Sequence, residues 1–450
     1  MRRAALLIVF LAGCGSPDPR EWIDPILVEH KERIEGVDAE ETRAKISGEL
    51  RAKKEWAVRD CIDLACLLND RLLAKGETYY QAVAARDRIS AAALPTVTGR
   101  ATYYRQEVAP GFGASQGFSL RARDEELLRI EVPIFAGFRD WNARAGAGEI
   151  IEAEAAALRH TKGVIAALVV ESFYEVLRQE RSLATLEGSL STQRARRTEM
   201  DARAKAGIAR KTELLLVEAQ LASTEASRAR ASNDLQVARS RLSSLLGVPV
   251  DRPLRDEAHD EQPESIEVLL ARANEKRADV AELERRLRAA ESQVAVERGA
   301  WYPTLGATGN IWGHRDGSSE NVDWDLLLEA EVNLFAGGET GARIAEARSR
   351  ARQAEFELRA LRADVALQVR QEFHGWHSLD ETIKSLEKEV AASAENFKLI
   401  QEEYKQKIAS NLEVQVAQDL LLTAQLALEA ARLDRKAALF RIRFVTGNLP

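Results

Sequence analysis

The stretch Val322-Asp323-Trp324-Asp325-Leu326-Leu327-Leu328-Glu329-Ala330-Glu331-Val332-Asn333-Leu334-Phe335 decides how the rest of the chain is read. Val322, Trp324, Leu326, Leu328, Ala330, Val332 and Leu334 fall on one face of an extended chain, and Asp323, Asp325, Glu329, Glu331 and Asn333 fall on the other. Only Leu327 interrupts the polar row. A period of two is the pattern of a β-strand between an apolar and a watery surface. Residues 302–313 and 322–335 both read as strands on this ground. So does 97–103, where Val97, Ala101 and Tyr103 oppose Thr98, Arg100 and Thr102. Farther on, Leu128, Ile130, Val132 and Ile134 oppose Arg129 and Glu131. A soluble antiparallel sheet would alternate in the same way. A strand of this length, apolar outward and charged inward, also fits a membrane barrel with an aqueous lumen. Trp141, Trp301, Tyr302, Trp312 and Trp324 lie in or at the ends of these segments, as the aromatic girdles of such a barrel require.

Working outward from the strands, the chain repeats itself. Phe135-Ala136-Gly137 returns as Phe335-Ala336-Gly337, and Ile208, Ala209, Glu213, Leu221, Ala238, Arg241 and Gly247 return 200 positions later as Ile408, Ala409, Glu413, Leu421, Ala438, Arg441 and Gly447. The two halves run over 56–249 and 264–450, joined by a linker at 250–263 that carries Pro253 and Pro263. Each half opens with a helix (about 56–92, and about 264–300) that ends at Pro95 or Pro303, where proline stops helical continuation. Two strands follow, then a very long helical stretch interrupted once and closed by a glycine. The first such stretch, from about Trp141 to Ala206, holds no proline. At ~1.5 Å per residue it would reach roughly 100 Å. Ile165, Leu168, Val169, Phe173, Val176 and Leu177 give it a narrow apolar stripe, so it must pack sideways in a bundle or coiled coil.

The N-terminus reads as a leader. Arg2 and Arg3 precede the apolar run Ala4 to Ala12, and small residues lead to a cysteine in Leu11-Ala12-Gly13-Cys14. The run falls well short of the ~20 residues that span a bilayer, so 1–13 is expected to be a cleaved signal. The sequence around Cys14 resembles a bacterial lipoprotein box, which implies lipidation of Cys14 and a lipid-anchored N-terminal extension over 14–55. Gly15 and Ser16 follow in place of an aspartate, which favours sorting to the outer membrane. Losing two arginines with the leader takes the net charge from −7 to −9. A mildly acidic chain of mixed charge carries no footprint for nucleic acid. Cys61 and Cys66, on different faces of one helix, do not suit a mutual disulfide. No other segment approaches the length of an apolar membrane helix, so any membrane crossing falls to the strands.

Four strands cannot close a barrel, and an open edge in lipid would leave backbone groups unpaired at several kcal/mol each. The chain must therefore oligomerise, and three copies give about twelve strands, within the range of known barrels. Taken with Trp56-Ala57-Val58-Arg59-Asp60-Cys61-Ile62-Asp63-Leu64-Ala65, Trp301-Tyr302-Pro303-Thr304-Leu305, Val332-Asn333-Leu334-Phe335-Ala336-Gly337-Gly338 and Ala206-Gly207-Ile208-Ala209, the sequence resembles the TolC family of outer-membrane efflux and secretion channels over about residues 50–450. The resemblance implies a mostly helical α+β fold. It implies a homotrimer with a twelve-stranded transmembrane β-barrel and a periplasmic α-barrel of long antiparallel helices. It implies an outer-membrane channel of a tripartite efflux or type I secretion system in a Gram-negative bacterium. The partners would be a periplasmic adaptor (membrane fusion protein), an inner-membrane transporter and outer-membrane lipid. No cofactor, metal or catalytic centre is expected.

Site residues follow from these expectations. Arg100, Arg129, Glu131, Asp323, Asp325, Glu329 and Glu331 would line the barrel lumen, where threefold repetition turns each into a ring of charge. By resemblance, the helix breaks near 205–213 and 405–413 are periplasmic tips, with Gly207, Ile208, Ala209, Ile408 and Ala409 as adaptor contacts. Gly207 suits a tight turn, whereas Lys407 at the matching position puts the second turn in question. Glu413, with Glu213 as its counterpart, would constrict the periplasmic aperture. The second acidic position of the family falls on Val416, so the ring here carries fewer charges. His374 and His377 share a helix face, but nothing completes a metal site around them. Two other readings stand beside the channel. One is a periplasmic coiled-coil adaptor or scaffolding lipoprotein, which would not need two duplicated strand pairs with apolar outer faces. The other is an enzyme, which would need a convergent polar site.

Overall fold

A computed structural model describes residues 39–105, 122–257, 261–315 and 322–448. Residues 1–38, which hold the expected leader, Cys14 and most of the expected 14–55 extension, lie outside the described residues. The helices are α1 (Ala39–Ala52), α2 (Val58–Leu68), α3 (Asp70–Ala91), α4 (Arg139–Lys205), α5 (Lys211–Leu246), α6 (Ile266–Lys276), α7 (Ala278–Arg298), α8 (Glu339–Lys405) and α9 (Asn411–Val445). The strands are β1 (Thr96–Arg105), β2 (Ala122–Ala136), β3 (Thr304–Arg315) and β4 (Trp324–Glu331). The internal repeat is visible in the lengths: α4 and α8 both have 67 residues, and α5 and α9 have 36 and 35. Among the described residues no helix is long and apolar enough to cross a membrane.

The described residues form two compact units. One holds 77–157 and 279–360, and the other holds 39–76, 158–278 and 361–448. The first carries the sheet, antiparallel in the order β1-β2-β3-β4. At its helical end Arg286 pairs with Glu154 at 2.7 Å and Arg285 with Glu149 at 3.2 Å. Gly137, with φ of +66°, turns the chain from β2 into α4. A Cβ there would lie 2.4 Å from the Gly299 carbonyl oxygen, so the turn admits only glycine.

The second unit holds the main apolar core. Trp56, Ile62, Leu64, Val169, Val170, Phe173, Val176, Leu242, Leu246 and Phe440 are buried together. Of the stripe predicted on α4, Leu168 alone is exposed. The linker is sewn to the start of the first half: Trp56 N donates to Pro253 O at 3.2 Å, and Arg255 N donates back to Trp56 O at 2.9 Å. Cys61 and Cys66 are both buried and in no disulfide, and burial pushes the Cys61 thiol up to about 12.

Each half opens with two helices where the sequence predicted one. α2 stops at Asn69 and α6 stops at Arg277, and both of these residues have extended backbone. The two breaks are equivalent. Asn69 Nδ2 donates to Leu245 O at 3.0 Å, and Arg277 Nη1 donates to Val445 O at 3.3 Å, the carbonyls lying 200 positions apart near the ends of α5 and α9. A polar side chain at the break satisfies a carbonyl that a helix end leaves without a partner. Nothing in the apolar periodicity marks such a break, because neither site contains proline or glycine.

Candidate functional site

Facing pairs in an antiparallel sheet share a face, so the register sorts the strand residues into two faces. Arg100 faces Leu127, Thr98 faces Arg129 and Thr96 faces Glu131 between β1 and β2. Arg129 faces Asn310 and Glu131 faces Thr308 between β2 and β3. Asn310 faces Asp325, Gly306 faces Glu329 and Thr304 faces Glu331 between β3 and β4. Arg100, Arg129, Glu131, Asp325, Glu329 and Glu331 thus share one face. Asp323 lies just before β4, and its carbonyl accepts from Trp312 N at 2.9 Å. The opposite face carries Val97, Ile130, Leu128, Val132, Ile311, Leu326, Leu328 and Trp324.

Side chains tie the polar face across three strands. Arg129 Nε donates to Asn310 Oδ1 at 3.1 Å, and Asn310 Nδ2 donates to Asp325 Oδ1 at 2.8 Å. Arg129 also lies 3.6 Å from Glu131. Asn310 carries no formal charge, so the charged positions that mark the polar face in the sequence pass it over.

Three expectations about the strands are corrected. β4 ends at Glu331, so Val332 and Leu334 fall outside it, and Leu334 and Phe335 are 86% and 87% exposed. Among the described residues β4 pairs only with β3, whose register ends at Thr304 opposite Glu331, just after Pro303, and this removes the hydrogen bonds that would extend it. Ile134 falls at a register shift between Pro133 and Phe135, so Phe135, facing Leu305, takes the apolar position. Proline cannot donate to the ladder, and a bulge beside it is the usual consequence. Trp312, expected in the aromatic girdle, lies on the polar face: it shares the parity of Asn310, and its Nε1 donates to Glu125 Oε1 at 3.0 Å.

The tips are twin turns. After α4, Gly207 N donates to Ala204 O at 3.1 Å and Ile208 N to Arg203 O at 2.9 Å; after α8, Lys407 N donates to Tyr404 O at 3.0 Å and Ile408 N to Glu403 O at 2.9 Å. Both are Schellman turns. Gly207 has φ of +72° and Lys407 has φ of +65°, so the lysine accepts the left-handed backbone that the glycine takes without cost. The substitution that put this turn in question leaves its geometry unchanged. Ile208 and Ile408 stand 70% and 72% exposed at the two apices, beside the half-buried Ala209 and Ala409. Lys407→Gly is expected to stabilise the protein by about 0.5 kcal/mol, because relief of a left-handed lysine slightly outweighs glycine's greater unfolded freedom. A small rise in melting temperature checks this.

The helices that leave the turns start differently. Ser410 caps α9: Glu413 N donates to Ser410 Oγ at 3.3 Å, while Glu413 Oε2 accepts from Ser410 N at 2.6 Å. This reciprocal capping box holds the Glu413 carboxyl below the usual carboxylate range. Because the folded value is depressed, its contribution is complete above the ordinary value of 4.5 and disappears as pH falls through the lower folded value. Glu413→Ala should therefore speed amide exchange at the start of α9 at pH 7. The difference should vanish once the wild-type carboxyl is protonated. α5 has Arg210 at its N-cap, with no side-chain cap and no capping box to Glu213.

Beneath the turns, buried and half-buried polar groups link the two halves. Asn411 Oδ1 accepts from Arg196 Nη2 at 2.7 Å, and Asn411 Nδ2 donates to Glu213 O at 3.3 Å. Tyr404 donates to Met200 Sδ at 3.2 Å and accepts from Arg203 Nη1 at 3.4 Å, with the Arg196 guanidinium 5.0 Å from its ring centroid. Gln220 Nε2 donates to Asp419 Oδ1 at 2.6 Å. These residues break the repeat: Lys211 stands where Asn411 would match, Ala204 where Tyr404 would, and Ala219 where Asp419 would. Each of these contacts pairs non-equivalent positions of the two halves, so departures from the repeat were the signal available in the sequence. No group of three or more His, Cys, Asp or Glu side chains is arranged for a metal among the described residues.

A family model described as outer membrane efflux protein matches residues 65–248 and 269–448. The outer membrane efflux protein BepC of Brucella suis biovar 1 (strain 1330) is 21% identical over 356 residues, covering 77% of this chain and 78% of its own. Among solved structures, CusC superposes with a TM-score of 0.79 at 19% identity, covering 87% of this chain and 92% of CusC. The open state of the MtrE outer membrane channel of Neisseria gonorrhoeae superposes with a TM-score of 0.74 at 19% identity, covering 87% and 88%.

Proposed function

The chain belongs to the outer membrane efflux protein family, and from that premise we propose that three copies close one barrel of about twelve strands, each copy supplying four. As a member of this family it is an outer-membrane efflux channel, a passive duct with no catalytic step, and the adaptor reading is set aside. The observation that carries the assembly is the sheet: β1 and β4 are both edges, and one face is apolar from Val97 to Leu328. In lipid each edge needs a partner, and a further copy is the partner that repeats without limit until the ring closes. Purified protein in mild detergent should have the mass of three chains. A stable single chain would contradict the assembly.

The finer features of the proposal rest on the tips and the N-terminus. Channels of this family work as trimers in tripartite efflux systems, which supports docking of a periplasmic adaptor, fed by an inner-membrane transporter, on Gly207, Ile208, Ala209, Ile408 and Ala409. Two isoleucines held out on rigid turns are apt contacts for a partner's helical tip. Cys14 would anchor the chain in outer-membrane lipid. Arg100, Arg129, Glu131, Asp323, Asp325, Glu329 and Glu331 would line the lumen. Glu413, seconded by Glu213, would form the periplasmic constriction, where three carboxylates on one axis attract cations. Glu413→Ala should then lower cation over anion selectivity, while Ser410→Ala, which removes the cap and keeps the charge, should preserve it. Equal selectivity in all three proteins would remove Glu413 from the constriction.

A further inference from the structure

The two hairpins of the sheet share one register. Pro95 and Pro303 precede equivalent points of β1 and β3, and Phe135 and Phe335 mark equivalent points of the chain at the ends of β2 and β4. Thr96 faces Glu131 as Thr304 faces Glu331, and Tyr103 faces Asp124 as Ile311 faces Trp324. The hairpin is thus the repeating unit, and within the chain the first hairpin meets the second through β2 and β3. The free edge of β4 repeats the edge of β2, and the free edge of β1 repeats that of β3.

Carrying the β2–β3 contact over to β4 and the β1 of a second copy fixes every facing pair. Glu131 on Thr308 becomes Glu331 on Arg100, Leu128 on Ile311 becomes Leu328 on Tyr103, and Val132 on Ala307 becomes Val332 on Gly99. Apolar residues meet apolar or small ones, and a carboxylate meets a guanidinium. Arg100 and Glu331 are both exposed in the single chain.

β2 also shows what the second copy would add. β1 pairs with β2 only as far as Glu131, and β3 pairs with its continuation from Val132 to Ala136. There Phe135 faces Leu305 and meets Phe138 edge-on at 5.0 Å, and Phe138 meets Tyr302 at 5.7 Å. In the second half Phe335 stands exposed. Gly337 has φ of +61°, close to the +66° of Gly137. A Cβ on Gly337 would meet no described residue within 4 Å, whereas the Gly299 carbonyl lies against Gly137. The equivalent of Gly299 is Ala91, at the end of α3 and beside the free edge of β1.

We propose that β4 of one copy pairs with β1 of the next in the register of β2 on β3, with Glu331 opposite Arg100. This contact carries β4 on to Ala336 and seats Phe335 against Val97 of the next copy. The proposal rests on the trimer reading, which requires the edges to meet and leaves their register open. A slip of one residue would turn the charged side chains toward lipid. A slip of two would set Arg100 against Glu329 or Asn333.

Cysteine cross-linking of the full-length protein in detergent, with copper phenanthroline as oxidant, reads the register. The protein with its native cysteines alone is the blank. Glu331→Cys combined with Arg100→Cys should give a covalent band of three chains, because facing Cβ atoms lie about 5 Å apart. Arg100→Cys combined with Glu329→Cys or Asn333→Cys should give about tenfold less, since those positions lie about 7–8 Å off on the diagonal. Without added cysteines, Glu331→Arg should lower the temperature at which the trimer dissociates, and adding Arg100→Glu should restore most of the loss. A stronger band from either displaced pair would overturn the register. So would a charge-swapped protein no more stable than Glu331→Arg alone, or no band from any pair in protein with the mass of three chains. Wild-type protein with the mass of one chain would sink the trimer reading itself.

Discussion

Leu328→Arg is expected to abolish insertion of the assembled channel, whereas Leu327→Arg, one residue away, should leave it intact. Leu328 faces Ala307 and Leu327 faces Thr308, so the two side chains stand on opposite faces of β4. On the lipid side an arginine at mid-depth costs about 2–4 kcal/mol per chain, and a ring of three copies multiplies that cost. On the lumen side the same cation meets water and the carboxylates of Asp325 and Glu329, its neighbours on the polar face. Outer-membrane fractionation and trimer yield of the two variants measure the difference. Equal tolerance would mean that the apolar face does not meet lipid, and equal loss would mean that β4 tolerates arginine on neither face.

Gly447→Ala should lower stability by about 2–4 kcal/mol, and its counterpart Gly247→Ala by only about 1–2 kcal/mol. Both glycines close the long helix of a half in the left-handed region, with φ of +69° and +68°. They differ in what lies against them. A Cβ on Gly447 would come within 2.8 Å of the Lys276 carbonyl carbon and oxygen, whereas one on Gly247 would rest 3.5 Å from Leu68 Cβ. Backbone at the α6–α7 break cannot move aside without loosening Arg277, which holds Val445 O and Gln368 at that joint. The shared backbone term cancels in the comparison, and the difference in melting temperature reports the close approach alone.

Much of this was legible in the sequence because the governing patterns are periodic. Period-two alternation put Arg129, Glu131, Asp325, Glu329 and Glu331 on one face, and the register keeps them there. Proline-free length predicted α4, and the constant offset predicted the twin turns at Ile208 and Ile408. What stayed hidden depends on single contacts between distant segments. The breaks at Asn69 and Arg277 come from one hydrogen bond each to the far end of another helix. The girdle reading of Trp312 failed because aromaticity is blind to strand parity, and the parity of β3 emerges only when Asn310 is found opposite Arg129. The end of β4 was misjudged because the pattern continues through Val332 and Leu334 where backbone partners within the chain run out. Sequence patterns report which side a residue prefers, while strand ends report what pairs with the backbone.

The most direct test of the channel is the current carried by purified protein in a planar lipid bilayer. Discrete, long-lived conductance steps of uniform size are expected, each step one trimer, obtained only from the fraction with the mass of three chains. A protein that stays monomeric and soluble once Cys14 is removed, and that never conducts, would contradict the channel.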